Sequence, residues 1–361
     1  MKRREFLQVA TAAGSAAAVA ASGSASVATD AVASANGLSL TAPVAKHQRP
    51  LAEVSGKVAF ITGGSSGIGL GMARAMSAAG MKVVFTYLND AHRDEALSLF
   101  KPGNAGVHAL KLDVTDREAM KRAADEAERV FGKVHLLCNN AGVGIRYGVA
   151  DATFKDWDWG MGVNLGGVIN GIATFLPRMR AHGEGAHVVT TGSSASMIAG
   201  GKVGVYCTAK FAVMGMMESL REELEGQNIG VSIYCPGLVK SNLVASERNR
   251  PDSLRVEGVV PGAAESSPEM QEFMRQFALY GMDPLDAGQM VLEGVRYNDL
   301  YILTHPEFRS VMRERAEALM ASLTTVPAPQ GRADLTRIFT TTLYARERDR
   351  RLATRRLRRS G

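Results

Sequence analysis

Val58-Ala59-Phe60-Ile61-Thr62-Gly63-Gly64-Ser65-Ser66-Gly67-Ile68-Gly69 is the stretch on which the fold turns. Four apolar residues make a short strand, and the glycines that follow permit a tight turn with close backbone approach. A helix of small residues follows from Ile68 to Ala79. Gly80 ends it, and Lys82 to Thr86 reads as the next strand. The start of that helix presents free N–H groups and a partial positive charge, which suit a pyrophosphate. A glycine trio alone reads equally well as a plain turn. Its position between a first strand and a first helix makes it a phosphate loop.

The alternation continues outward. Val107 to Leu112, Val134 to Cys138, Ala186 to Thr191 and Val231 to Cys235 read as strands. Arg117 to Phe131, Val163 to Arg180 and Tyr206 to Glu225 read as helices between them. The strands are uniformly apolar, the mark of strands covered on both faces. The expected fold is α/β: a Rossmann-type doubly wound parallel sheet in a single domain, with a C-terminal helical extension. Ligands of such sheets sit beyond the carboxyl ends of the strands. Gly63, Asp113, Asn139-Asn140, Ser193 and Pro236-Gly237 all fall at those ends, so a site is expected along one edge.

The Gly-x-x-x-Gly-x-Gly spacing of Gly63, Gly67 and Gly69 resembles that of the short-chain dehydrogenases/reductases, and the resemblance covers about residues 56–241. It implies a nicotinamide dinucleotide held by Gly63, Ser65, Ser66, Gly67, Ile68 and Gly69. Asp113 and Val114 resemble the family's adenine contact. Asn140, Ala141 and Gly142 resemble its sheet-supporting motif along the coenzyme cleft. Pro236, Gly237, Val239 and Ser241 resemble the segment on the nicotinamide side, with Ser241 where the family more often has Thr. The resemblance also implies a homo-oligomer, dimer or tetramer, and a small-molecule alcohol or ketone as substrate.

Tyr206 and Lys210 are four residues apart, hence on one face of a helix. Such a pair is common by chance. With Ser193 upstream and Asn164 at the expected start of a helix, it resembles the family's catalytic tetrad. Hydride transfer to a carbonyl leaves an alkoxide that needs a proton, and oxidation needs the reverse. A phenol titrates near pH 10, and a neighbouring ammonium favours phenolate. Tyr206 is therefore expected as general acid/base, with Lys210 tuning it and, by resemblance, holding the nicotinamide ribose. Ser193 would hydrogen-bond the reacting oxygen, a role that adjacent Ser194 is also placed to fill. Asn164 would anchor a water in a proton relay.

Coenzyme choice is read at the end of the second strand. Tyr87 stands where an NAD-selective member carries Asp. Nothing there repels a 2′-phosphate, and Arg93 is the nearest candidate cation, so NADP is favoured slightly over NAD. Beyond Ser241, Asn242 to Gly281 is polar, holds Pro251, Pro261 and Pro268, and is expected as a lid or substrate loop. Met270, Phe273, Met274, Phe277 and Tyr280 share a helical spacing that fits a packed face or a pocket wall. Pro284 to Tyr297 reads as a helix, Tyr301 to Thr304 as a last strand and Pro306 to Leu323 as a further helix. This tail resembles that of the Cα-dehydrogenases acting on lignin-derived aryl-ether alcohols, which implies a bulky aromatic or apolar secondary alcohol.

The N-terminus begins Met1-Lys2-Arg3-Arg4-Glu5-Phe6-Leu7 and continues as an Ala-rich, weakly apolar stretch. Residues 1–34 read as a twin-arginine-type signal peptide and 35–54 as a linker, ahead of a dehydrogenase domain over 55–305 and an extension over 306–361. The expected location is the periplasm, or the cytoplasm if the N-terminus is not a working signal. A permanently bound NADP would suit an exported enzyme; a catalytically idle dinucleotide sensor is the alternative of another class. The chain has 361 residues and a formal charge of +6. That charge sits at the ends: the last 16 residues hold eight Arg against Glu347 and Asp349. The body is slightly acidic, so nucleic acid is not expected as a partner, and the Arg-rich tail reads as a solvated helix. No apolar run reaches the roughly 18 residues of a membrane span. Cys138, Cys207 and Cys235 fit neither a disulfide framework nor a zinc site, and no metal is expected.

Overall fold

The computed structural model describes residues 48–359 apart from 102, 104, 259–266 and 337–339, with side chains to residue 353. The expected signal peptide, most of the linker and Pro261 lie outside the described residues.

Seven parallel strands form one sheet in the order β3-β2-β1-β4-β5-β6-β7. They are β1 (Val58–Ile61), β2 (Lys82–Tyr87), β3 (Val107–Lys111), β4 (Leu136–Asn139), β5 (Ala186–Thr191), β6 (Ile229–Cys235) and β7 (Tyr301–Leu303). Every residue of β1, β4, β5 and β6 is buried. Because successive side chains point to opposite faces, β1 serves two cores. Val58 and Phe60 join Leu137, Phe175 and Met217 on one side. Ala59 and Ile61 join Met72, Phe85 and Val291 on the other. An uninterrupted apolar strand is what a sheet with two covered faces requires.

Helices α1 (Gly67–Ala78), α2 (Asp90–Ser98) and α3 (Arg117–Phe131) connect the first four strands. Helix α2 was not expected from the sequence; Asn89 caps it by accepting from Ala91 N at 2.9 Å. The segment expected as one helix from Val163 begins earlier. Helix α4 (Phe154–Met161) starts at a capping box between Thr153 and Asp156, passes through a π turn (Gly162–Gly166) and continues as α5 (Gly167–His182). Asn164 therefore does not begin a helix; it sits inside the π turn. After β5 comes α6 (Gly204–Glu223), and after β6 come α7 (Pro268–Tyr280) and α8 (Pro284–Tyr297). Helix α8 crosses α1 backbone to backbone: a Cβ on Gly288 would lie 2.2 Å from the Gly71 carbonyl oxygen. The three cysteines are free and buried.

The extension holds α9 (Arg309–Ala321), α10 (Gln330–Thr336) and α11 (Leu343–Arg359). Here the expectation of a solvated tail is corrected. Arg221 of α6 is buried and donates from Nε to Glu347 of α11 at 3.0 Å, and from Nη2 to the Asn298 carbonyl at 3.0 Å. Arg346 pairs with Glu222 at 2.8 Å, Arg350 with Glu225 at 2.6 Å, and Arg351 with Asp299. Arg346, Arg350 and Arg351 match acidic groups at the end of α6 and in the α8–β7 turn, a match that a one-dimensional charge count cannot show. Among the described residues no helix is long and apolar enough to cross a membrane.

Breaking a buried ion pair strands the remaining charge. Glu347→Gln is expected to lower stability by about 3–5 kcal/mol, read by denaturant melts. A loss below about 1 kcal/mol would mean that α11 does not dock as described.

Candidate active site

The loop after β1 has φ of +63° at Gly63 and +50° at Gly67, values that favour glycine. Ser66, at the start of α1, makes no side-chain cap, and the first turn carries no acid, so its N–H groups stay available to an anion. A Cβ on Gly67 would lie 2.8 Å from Ser241 Cβ, and one on Gly63 would lie 2.9 Å from Ala141 Cα. The loops after β1, β4 and β6 thus converge here on a cradle whose floor is bare backbone, which fits a dinucleotide phosphate. Gly69 is different. It does not face the cleft; a Cβ there would fall 2.3 Å from the Gly63 carbonyl oxygen, so it serves close packing instead.

Three strand ends are pinned together beside this loop. Thr62 Oγ1 accepts from Asn140 N at 2.9 Å and Ala141 N at 3.0 Å. Asn140 Nδ2 donates to the Thr62 carbonyl at 3.1 Å, and Thr191 Oγ1 donates to Asn140 Oδ1 at 3.1 Å. Sequence reasoning had found Asn140 but not Thr62 or Thr191. Nothing in a buried threonine at a strand end distinguishes it from an ordinary β residue.

Tyr206 and Lys210 lie on one face of α6, with Lys210 Nζ 5.6 Å from the Tyr206 ring centre. Lys210 is buried and donates to the Thr191 carbonyl at 2.8 Å. Ser193 stands beside Tyr206, close enough to favour its charged form. Its Oγ also accepts from Ala195 N at 3.1 Å, which fixes it at the start of a short turn. Ser194 turns its N–H to the Pro236 carbonyl at 2.8 Å and does not line the cleft, so Ser193 is the serine presented. Asn164 is fully buried. It accepts from Val143 N and donates to the Val143 carbonyl, each at 2.9 Å. A Cβ on Gly142 would sit 2.9 Å from Asn164 Oδ1 and 3.8 Å from Lys210 Nζ.

The electrostatics differ from expectation in one respect. Burial pushes Tyr206 up to about 12, against the lowering effect of Ser193. Burial also brings Lys210 down to about 8. Desolvation, not the lysine charge, dominates the phenol, because the same low-dielectric pocket penalises both charged forms.

A cavity of about 430 Å³ joins these groups. Gly63, Ser65, Ser66, Gly67, Ile68, Tyr87, Asp113, Val114, Asn140, Ala141, Gly142, Pro236, Gly237, Val239 and Ser241 line it, as do Asn164, Ser193, Tyr206 and Lys210. Phe273 and Phe277 of α7 form part of its wall, their rings stacked 5.9 Å apart; Met270, Met274 and Tyr280 of the same stripe do not line it, and Tyr280 is 80% exposed. Sequence reasoning missed Trp159, Leu243, Val244 and Leu254. It also missed the clamp behind them: buried Arg250 pairs with Asp156 at 2.8 Å and lies over the Trp159 ring at 5.0 Å. This joins the stretch after Ser241 to α4. The capping box at Thr153 was the signal available for α4. At and just beyond the end of β2, Tyr87, Asn89 and His92 line the cavity. Arg93 does not; it is held by Asp94 at 2.8 Å, Asp90 at 3.1 Å and the Tyr87 hydroxyl at 3.2 Å. No cluster of three metal-ligating side chains occurs among the described residues.

A phosphate cradle and a Tyr–Lys pair on one edge of a doubly wound sheet define a nicotinamide-dependent oxidoreductase. The chain belongs to the short-chain dehydrogenase family, whose model matches residues 57–271. It is 37% identical over 277 residues to a C alpha-dehydrogenase of Sphingobium sp. strain SYK-6, covering 76% of this chain and 89% of that one. Among solved structures it resembles apo LigO from the same strain, with 39% identity, a TM-score of 0.64 and coverage of 79% and 96%. It also resembles a short-chain dehydrogenase/reductase from Burkholderia phymatum in complex with NAD, with 31% identity, a TM-score of 0.69 and coverage of 77% and 99%. The chain is thus an oxidoreductase of the kind that acts on CH–OH donors with NAD(P).

Proposed function

We propose that the protein interconverts a bulky secondary alcohol and its ketone, with Tyr206 as general acid/base. The observation that carries this is the meeting of Tyr206, Ser193, Lys210 and Asn164 in the cavity that the glycine loop closes. When bound, the nicotinamide coenzyme supplies or takes up the hydride. Ser193 holds the reacting oxygen by a hydrogen bond, and the Tyr206 hydroxyl gives it a proton in reduction or removes one in oxidation. Lys210, brought down to about 8, is still largely an ammonium at neutral pH, and its charge favours the phenolate. Asn164 and Lys210 line the same cavity, which supports a water relay between them. The apolar wall of Trp159, Leu254 and Phe277 supports an aromatic or otherwise apolar substrate.

Tyr206→Phe is expected to lower kcat/KM by about 10²–10⁴-fold with the fold intact. Oxidation needs the phenolate and reduction the phenol. In the native protein the oxidation rate therefore rises with pH while reduction falls, and the variant loses both slopes. A variant with normal turnover on a panel of aryl alcohols would end this mechanism.

The absence of a carboxylate at position 87 favours NADP. The capture of Arg93 by Asp94 and Asp90 leaves that preference small. We expect the dissociation constants of NADP and NAD to differ by less than about tenfold, or about 1.4 kcal/mol. Calorimetric titration checks this, and a ratio beyond about a hundredfold in either direction contradicts it.

The basic start and Ala-rich stretch support export by the twin-arginine route to the periplasm, after folding. Mass spectrometry of the protein from fractionated cells is expected to find a trimmed N-terminus in the periplasm. A full-length cytoplasmic species alone would refute export.

A further inference from the structure

The stretch after Ser241 puts two arginines near the substrate end of the cavity, and they are held in different ways. Arg250 is buried and paired with Asp156 and Glu247. Arg248 lines the cavity and makes no ion pair among the described residues. One nitrogen, Nη1, donates to the Asn242 carbonyl at 2.9 Å and to the Ala245 carbonyl. Among the described residues, Nε and Nη2 make no hydrogen bond. The guanidinium is thus fastened by its own loop, and one edge of its fork is left free. The lining from the same stretch is mixed: Leu243, Val244, Pro251 and Leu254 are apolar, and Asn242, Ser246 and Asn249 are polar. The carboxylate of Asp158 also borders the cavity, one turn before Gly162, but makes no pair with Arg248.

A guanidinium with a free, planar two-donor edge matches a carboxylate. Arg248 is itself exposed, so water can serve it when a neutral ligand binds, and the preference for an acid comes from the charge-assisted pair. We propose that Arg248 receives a carboxylate on the substrate, so that the preferred alcohols and ketones are aryl or apolar acids. The proposal rests on the hydride-transfer reading only for the placement of the reacting carbon near Tyr206.

The test compares para-acetylbenzoate and para-acetylphenylpropanoate with neutral acetophenone, on the native enzyme, Arg248→Leu and Arg248→Lys. Reduction rates are measured with saturating coenzyme, and binding to the coenzyme-loaded protein is followed by calorimetry. The native enzyme is expected to favour at least one acid over acetophenone by about 10- to 100-fold in kcat/KM and in affinity. In Arg248→Leu that ratio falls to about one, while Arg248→Lys, which keeps charge but not the fork, is intermediate. The proposal is overturned if the native enzyme shows no preference for either acid, or if the leucine variant keeps it. It is also overturned if the leucine variant weakens coenzyme binding and leaves the ratio unchanged, since Arg248 would then serve the pyrophosphate. Absence of turnover with all three ketones would count against the hydride-transfer reading, and calorimetry would still decide the role of Arg248.

Discussion

The hydrogen bonds at Thr62 and Asn140 hold the site together. At this point β1 and β4 lie side by side and the connections leave them toward opposite faces of the sheet. A crevice opens there because the chain parts. Thr62 Oγ1, the Asn140 amide and Thr191 Oγ1 tie the ends of β1, β4 and β5 across that opening. The next residue outward on β1 begins the phosphate cradle. The carbonyl of Thr191 is what Lys210 holds, so the same three strands also position the helix that carries Tyr206. A change in the spacing of these strand ends would be felt at both the phosphate and the phenol.

Much of this was legible in the sequence because it depends on local rules. Buried parallel strands have to be apolar throughout, so β1, β2 and β5 announce themselves. A phosphate loop needs glycine where φ is positive, which marks Gly63 and Gly67. The Tyr206–Lys210 spacing follows from the helical repeat. What was hidden depends on partners distant in the chain. Gly69 has the spacing of a coenzyme contact, yet its neighbour is the Gly63 carbonyl. Arg250 and Asp156 are nearly a hundred residues apart, and neither carries a mark of the other. Helix α2 is short and polar, with Ala96 its only buried residue, so it has no apolar period to read.

The π turn around Asn164 belongs to both categories. A single extra residue in a helical turn cannot be seen in a pattern of apolar positions, and the sequence suggests a helix beginning near it. In the structure the turn brings Asn164 inward to bond both main-chain groups of Val143. Irregular turns of this kind trade helical hydrogen bonding for the placement of one side chain, and they concentrate at functional sites.

The docking of α11 also orders events in time. Arg221 lies on α6, the helix of Tyr206 and Lys210, and its carboxylate partner is Glu347 near the end of the chain. During synthesis from the N-terminus, α6 emerges well before that partner. Until the last helix follows, Arg221 has no Glu347 to neutralise it, and full burial is opposed. The seating of the helix that carries Tyr206 and Lys210 is therefore completed only after Glu347 has been made and α11 has docked.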